Sequence, residues 1–272
     1  MPITLEDLAR QAIDGDRDAL DRVLHALQGD LYALALRMLW NREDAEDATQ
    51  EILLRIVMRL AQFEFRSRVK TWAYRLAVNY VLDVKKSAIE RLHLGFGQFA
   101  ENLVNGVEPA SADNTMHSLL IDEVKVGCSL AMLQCLDRPH RAAFVLGEIM
   151  ELSGPEAAEI LDVSPALFRK HLQLARESII EFMRSHCGLV SDTAPCQCHR
   201  RVAPSVATAS DAQLQFARRP TSFLEARALV RHVDEARWAR EVHRTSEPRA
   251  SAVDFAQRLL RAIDPPPEPT QS

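Results

Sequence analysis

The chain has 272 residues, room for roughly two or three small domains that each bury a core. It holds no apolar run near the roughly 20 residues that span a bilayer, and its first residues lack a basic flank before an apolar stretch, so a soluble, cytoplasmic protein with no membrane partner is expected. The formal net charge of −5 is a poor match for a protein that grips DNA unaided, because counterion release by Lys and Arg supplies most non-specific affinity; if DNA is the target, another subunit adds to the hold.

Apolar residues recur every three or four positions from Leu20 to Leu39 and again at Ala45, Ala48, Ile52, Ile56 and Leu60. No period-two strand with hairpin turns is evident, and an all-α fold is expected. Within the second of these helices, residues 41–51 carry five carboxylates (Glu43, Asp44, Glu46, Asp47 and Glu51) against the single Arg42. Residues 66–91 reverse the sign with Arg66, Arg68, Lys70, Arg75, Lys85, Lys86 and Arg91 against two acids. The first surface suits a basic protein partner, and the second suits phosphate.

The same basic stretch interleaves aromatics with cations at Phe63, Phe65, Trp72, Tyr74 and Tyr80, a mixture that stacks unpaired bases while guiding a backbone. Asn79 adds a planar amide able to read a base edge. Trp72 is expected in the helical core, whereas Phe63, Phe65 and Tyr80 suit core packing and base contact equally.

Residues 92–118 loosen into Gly, Pro and polar positions and read as a linker with one short helix. A second helical block, residues 119–186, contains a helix-turn-helix pattern. Ser153 and Glu156 form a capping-box spacing with Pro155 in the first turn, Asp162 and Val163 make the turn, and Ser164-Pro165 opens the next helix. Asp162 stands where Gly is commoner, and Asp tolerates the left-handed conformation at modest cost. The next helix buries the stripe Phe168, Leu172, Ala175, Ile179 and Phe182 and turns Arg169, Lys170, Gln173 and Arg176 outward, the long donors a major groove requires. A solvated basic face would have the same pattern.

Residues 187–272 hold twelve Arg and no Lys, a shift marking a separate extension. The five cysteines are unevenly spaced and no export signal accompanies them, which favours free thiols or metal ligands over a disulfide framework. His186, Cys187, Cys196, Cys198 and His199 are candidate ligands for zinc or copper, although Cys-x-Cys is a sparse signature and an exposed loop with incidental cysteines is the plain alternative. Cys128 and Cys135 fall on an apolar helix face and are expected in the core. Residues 223–243 and 253–263 read as two amphipathic helices that pack back on the preceding domains or bind a regulator.

Residues 32–86, with DAEDATQEILLRI followed by RSRVKTWAYRLAVNYVLDVKKS, resemble region two of bacterial sigma factors of the extracytoplasmic-function group. Residues 133–183, with LDRPHRAAFVLGEIMELSGPEAAEILDVSPALFRKHLQLARESI, resemble their region four. The resemblance implies a non-enzymatic promoter-specificity subunit divided into region two (1–91), a linker (92–118), region four (119–186) and a regulatory extension (187–272). It implies that Asp47, Gln50 and Glu51 meet the β′ clamp of core RNA polymerase. Phe63, Phe65, Arg66, Arg68 and Lys70 then capture an extruded base of the minus-ten element, with Asn79, Tyr80, Asp83 and Lys86 in the reading helix. Arg169, Lys170, His171 and Arg176 meet the minus-thirty-five element beside the β flap. Promoter DNA and an anti-sigma factor are the other implied partners, and no cofactor is required. The capture segment FEFRSRVKTW is poorer in Gly and acid than is usual for the family. A stand-alone helix-turn-helix regulator with a metal- or redox-sensing tail is the alternative, and it leaves the acidic and aromatic block without a role. No phosphate-cradling Gly loop, zinc-hydrolase pairing or nucleophile elbow points to an enzyme.

Overall fold

The structure is a computed structural model describing residues 3–84, 94–104, 115–202 and 223–263. It divides into two compact units, one of Met1–Lys85, Glu159–Leu161 and Ala250–Ser272, the other of Lys86–Ala158 and Asp162–Arg249. The extension is thus shared between the two units, where the sequence suggests one separate block. Among the described residues the regular structure is helical, with one isolated bridge between Cys187 and Cys196.

Capping side chains define the starts in the first unit. Thr4 and Asp7 form a reciprocal capping box on α1 (Leu5–Ile13), Asp16 caps α2 (Arg17–Leu39), and Asn41 Oδ1 accepts the Asp44 N–H at 2.9 Å to open α3 (Arg42–Leu60). Trp40 takes the left-handed conformation (φ 51°) that reverses the chain between α2 and α3. The fourth helix, α4 (Val69–Asp83), packs on α2 and α3 through Ala73, Leu76 and Ala77, and Tyr74 reaches Asp30 at 3.1 Å.

The last helix of the chain, Phe255–Ile263, belongs to this unit and lies on α2 and α3. Phe255 stacks on Tyr32 at 5.9 Å, the Ala256 N–H donates to Gln28 Oε1 at 3.0 Å, and Ser251 Oγ donates to Glu46 Oε1 at 2.7 Å. His25 Nε2 lies 3.1 Å from the Asp254 carboxylate, and its Nδ1 lies 2.9 Å from the Asp21 carbonyl oxygen. Partial burial opposes a charge on His25, but the Asp21 carbonyl and the Asp254 and Asp21 carboxylates outweigh it and raise the pKa. Burial likewise opposes the charge on Asp254, and the Gln257 N–H and His25 outweigh it and lower that pKa.

The signs fix a pH window. A raised His25 pKa contributes stability that is complete below the unfolded value of 6.5 and lost as pH rises through the folded pKa, whereas the Asp254 contribution is lost only as pH falls through a value below 3.8. Amide exchange across Phe255–Ile263 should therefore be faster at pH 8 than at pH 5.5, after correction for intrinsic rates, and His25→Phe should abolish the difference. The effect is small, because both groups are largely solvated.

In the second unit, the segment read as a linker contributes α5 (Phe96–Val104), whose Phe99 and Leu103 are buried. Its neighbour α6 (Thr115–Gln134) ends on Arg141 of α7 (Arg138–Phe144). That guanidinium is only 3% exposed and donates to the carbonyls of Leu133 (2.9 Å) and Leu136 (3.0 Å), satisfying acceptors that a helix end leaves open. A π-helical turn at Val145–Ile149 leads to α8 (Gly154–Leu161) and α9 (Pro165–His186).

The helix-turn-helix signals act as read. Ser153 Oγ accepts the Glu156 N–H at 3.4 Å, Asp162 has φ 54°, and Ser164 Oγ accepts the Leu167 N–H at 3.2 Å. Phe168, Ala175, Ile179 and Phe182 are buried while Leu172 of the expected stripe is only half-buried, and Phe182 stacks on Phe99 at 5.2 Å. The extension forms α10 (Phe223–Arg231) and α11 (Glu235–Thr245) where one continuous helix was expected, because the chain breaks at residues 232–234 and Asp234 starts a new helix. Calling the Phe255–Ile263 helix α12 completes the series.

Candidate functional site

The acidic face of α3 is built by its helical spacing. Ala45, Ala48, Ile52 and Ile56 face the core, which leaves Asp47, Gln50, Glu51, Leu54 and Met58 on the outer side. Asp47 is exposed, and Glu51 Oε1 accepts from Arg55 Nε at 3.0 Å. The Arg55 guanidinium lies 4.6 Å over the Tyr80 ring of α4, so the acidic face and the basic helix meet at one side-chain stack. Burial and Glu51, opposed by Arg55, raise the Tyr80 pKa. Met58, 58% exposed on the same stripe, was missed in the sequence; an apolar residue off the buried stripe was the available signal.

The aromatic segment sorts into core and surface. Phe63 is 8% exposed, packed 4.7 Å from Phe65 and 4.8 Å from Trp72, which removes it from the base-contact set; its N–H closes a turn on Leu60 and tucks the ring inward. Phe65 stays half-buried with φ 56°, a conformation uncommon for a residue with a Cβ, and Arg10 lies 4.6 Å over its ring. Arg66 pairs with Glu64 at 2.7 Å while remaining 84% exposed. Lys70 reaches Asp30 at 2.6 Å, and Arg68, Asn79 and Asp83 are exposed. Lys86 lies outside the described residues.

On α9, Arg169, Lys170 and Gln173 face solvent. Arg176, expected beside them, instead pairs with Glu148, a carboxylate 3% exposed that Arg240 of α11 also reaches at 3.2 Å. The reason is electrostatic: a buried carboxylate is costly unless paired, and Arg176 and Arg240 both reach this one. On the role that the resemblance implies, substituting Arg169 by Ala should weaken binding to a cognate promoter by about 1–3 kcal/mol without changing thermal stability, whereas Arg176→Ala should lower the melting temperature; parallel DNA titration and calorimetry check the contrast. His171 is half-buried 4.8 Å from the His140 ring, and burial with the neighbouring His140 lowers its pKa.

The cysteine-bearing loop after α9 brings Cys187, Cys196 and Cys198 together, but not the two imidazoles. His186 packs 5.0 Å from Phe182 and His199 lies 4.6 Å from Phe223. All five cysteines are free thiols. Among the described residues no three His, Cys, Asp or Glu side chains already stand in a metal-holding arrangement, and no helix is long and apolar enough to cross a membrane.

Residues 23–88 match the Sigma-70 region 2 family and residues 128–179 match Sigma-70, region 4. The chain is 26% identical to the ECF RNA polymerase sigma factor SigW of Bacillus subtilis (strain 168) over 196 residues, 68% of this chain and 99% of that protein. It is 26% identical to ECF RNA polymerase sigma factor SigM of the same organism, over 59% of this chain and 92% of that one. Of solved structures, CnrH in complex with the cytosolic domain of CnrY aligns at a TM-score of 0.46 with 22% identity, over 65% of this chain and 94% of that one. Both sigma regions are matched in their proper order, and over two thirds of its length the chain is similar to an extracytoplasmic-function sigma factor.

Proposed function

We infer that this protein binds core RNA polymerase and directs it to specific promoters in the cytoplasm, and that it carries out no covalent chemistry of its own. The observation that carries the reading is the pairing of the two sigma regions, at residues 23–88 and 128–179, with two surfaces of opposite charge on α3 and α9. Core polymerase supplies most of the phosphate grip, which is why a chain of net charge −5 serves.

The division of labour among residues is the one the resemblance implies, narrowed to the residues that stay accessible. Asp47, Gln50 and Glu51, extended by Met58, form the surface for the β′ clamp. Phe65, Arg66, Arg68 and Lys70 form the capture segment, and Asn79, Tyr80 and Asp83 the neighbouring reading face, where stacking on an aromatic is worth about 1–3 kcal/mol per base. Arg169 and Lys170 read the upstream element in the major groove, near the β flap. An anti-sigma protein would act by covering one of these surfaces, and the extension is proposed to adjust activity through its contacts with both units. No bound group is needed for any of these steps.

Run-off transcription with purified core polymerase on a genomic template library tests the reading. Discrete start sites that share upstream elements are the expected outcome. DNA binding in the absence of polymerase, with no such starts, would instead favour a stand-alone regulator.

A further inference from the structure

The loop after α9 brings three cysteines to a fourth that lies far away in sequence. Cys187, Cys196 and Cys198 line the same small cavity as Cys128 of α6, with Lys125, Met132 and Phe182 forming part of its wall. The cavity measures about 20 Å³, room for a single water-sized sphere. Cys135, the remaining cysteine, is not among the lining residues; its Sγ lies 3.4 Å from the Ala131 carbonyl oxygen of its own helix.

The backbone holds this arrangement tightly. Cys187 and Cys196 are paired in a bridge, the Gly188 N–H donates to the Cys196 carbonyl at 2.8 Å, and the Val190 and Ser191 N–H groups both donate to the Cys187 carbonyl. A Cβ on Gly188 would lie 2.6 Å from the Cys196 carbonyl oxygen, so the close approach of the two cysteine-bearing segments depends on glycine. Lys125, 2% exposed and paired with Asp122 at 3.0 Å, puts a buried cation on the cavity wall. Four thiols around one cavity exceed what packing asks for, since Ala or Val fills such space without a reactive group.

We propose that Cys128, Cys187, Cys196 and Cys198 form a four-thiolate site for a thiophilic divalent cation of the zinc class, which fastens α6 to the loop following α9. The cation draws the four sulfurs inward onto a tetrahedral centre; four S–H protons pass to solvent as four metal–sulfur bonds form. The resulting net charge of about −2 is offset in part by Arg201 and by Lys125, the latter shared with Asp122, both of which act electrostatically on these thiols. With no cation bound, burial pushes Cys196 up to about 12 and Cys128 and Cys198 well above their ordinary value, so they pack as neutral thiols. The histidines of the sequence motif take no part.

The test uses the full-length chain, reduced, stripped with chelator and titrated with Zn2+ against a chromophoric competitor, with Co2+ as a spectroscopic probe of thiolate ligation. One Zn2+ per chain and a Co2+ spectrum of tetrahedral four-thiolate type are expected. Cys128→Ser should weaken Zn2+ by more than about tenfold, while Cys135→Ser and the double variant His186→Ala with His199→Ala bind as the unaltered chain does. Circular dichroism establishes which variants are folded; if Cys128→Ser is not, the Co2+ spectrum of the unaltered chain decides by its thiolate count. Absence of stoichiometric Zn2+, a spectrum with fewer than four thiolates, or loss of binding in the histidine variant overturns the proposal.

Discussion

Replacing Asp47 by lysine should weaken association with core RNA polymerase by about 3 kcal/mol, roughly a hundredfold in Kd, with no loss of fold. Asp47 is exposed at the centre of the acidic stripe on α3, so the substitution removes no internal contact of the free protein. What it changes is the sign of charge offered to a basic partner, and like charges at a closed interface cost several kcal/mol. Glu46, one residue away, makes the control: it is held by Arg42 at 3.1 Å and by Ser251 at 2.7 Å, so Glu46→Gln should loosen α12 and affect polymerase binding far less. Fluorescence titration of labelled protein with core polymerase, and its dependence on salt, separates the two.

The other large effect is expected inside the helix-turn-helix. Phe168 is 1% exposed on α9, and Gly147 and Gly154 come close enough that a Cβ built on either would lie 3.2 Å and 3.9 Å from its ring. Phe168→Ala should destabilise the second unit by about 3–5 kcal/mol, a large share of the roughly 5–15 kcal/mol that holds a domain together. Arg169 and Lys170 follow it directly in the chain, so recognition of the upstream element should be lost with the fold. A calorimetric scan should show the melting transition of the second unit lowered and that of the first unchanged.

Much of this was legible along the chain because local rules and tertiary packing agree. The caps at Asn41 and Ser164, the left-handed Asp162 and the buried stripe of α9 all depend on neighbours within a turn or two, and each is found where its residue type demands. The acidic face of α3 was readable for the same reason, since helical spacing alone sets it. The short helix expected in the linker is present, but its docking was not legible: Phe99 and Leu103 are buried against partners far along the chain.

What escaped the sequence were pairings across long separations. Arg176 looks like its outward neighbours until Glu148, 28 residues earlier in the chain, claims it from a buried position. Phe63 was an even choice between core and surface until a turn against Leu60 folded it under Trp72. Cys128 was read as a core residue because it falls on an apolar helix face, and only the fold brings it to Cys187, Cys196 and Cys198. His186 and His199 were attractive by adjacency alone, and adjacency does not set direction.

Permanganate mapping of unpaired thymines on a promoter selected by run-off transcription tests the central claim most directly, because it reads strand opening and not mere binding. With core polymerase and this protein together, reactive thymines should appear over the minus-ten element, and they should vanish when either component is omitted or when Asp47 is replaced by lysine. Opening by core polymerase alone, or a fully protected duplex in the complete mixture, would contradict it.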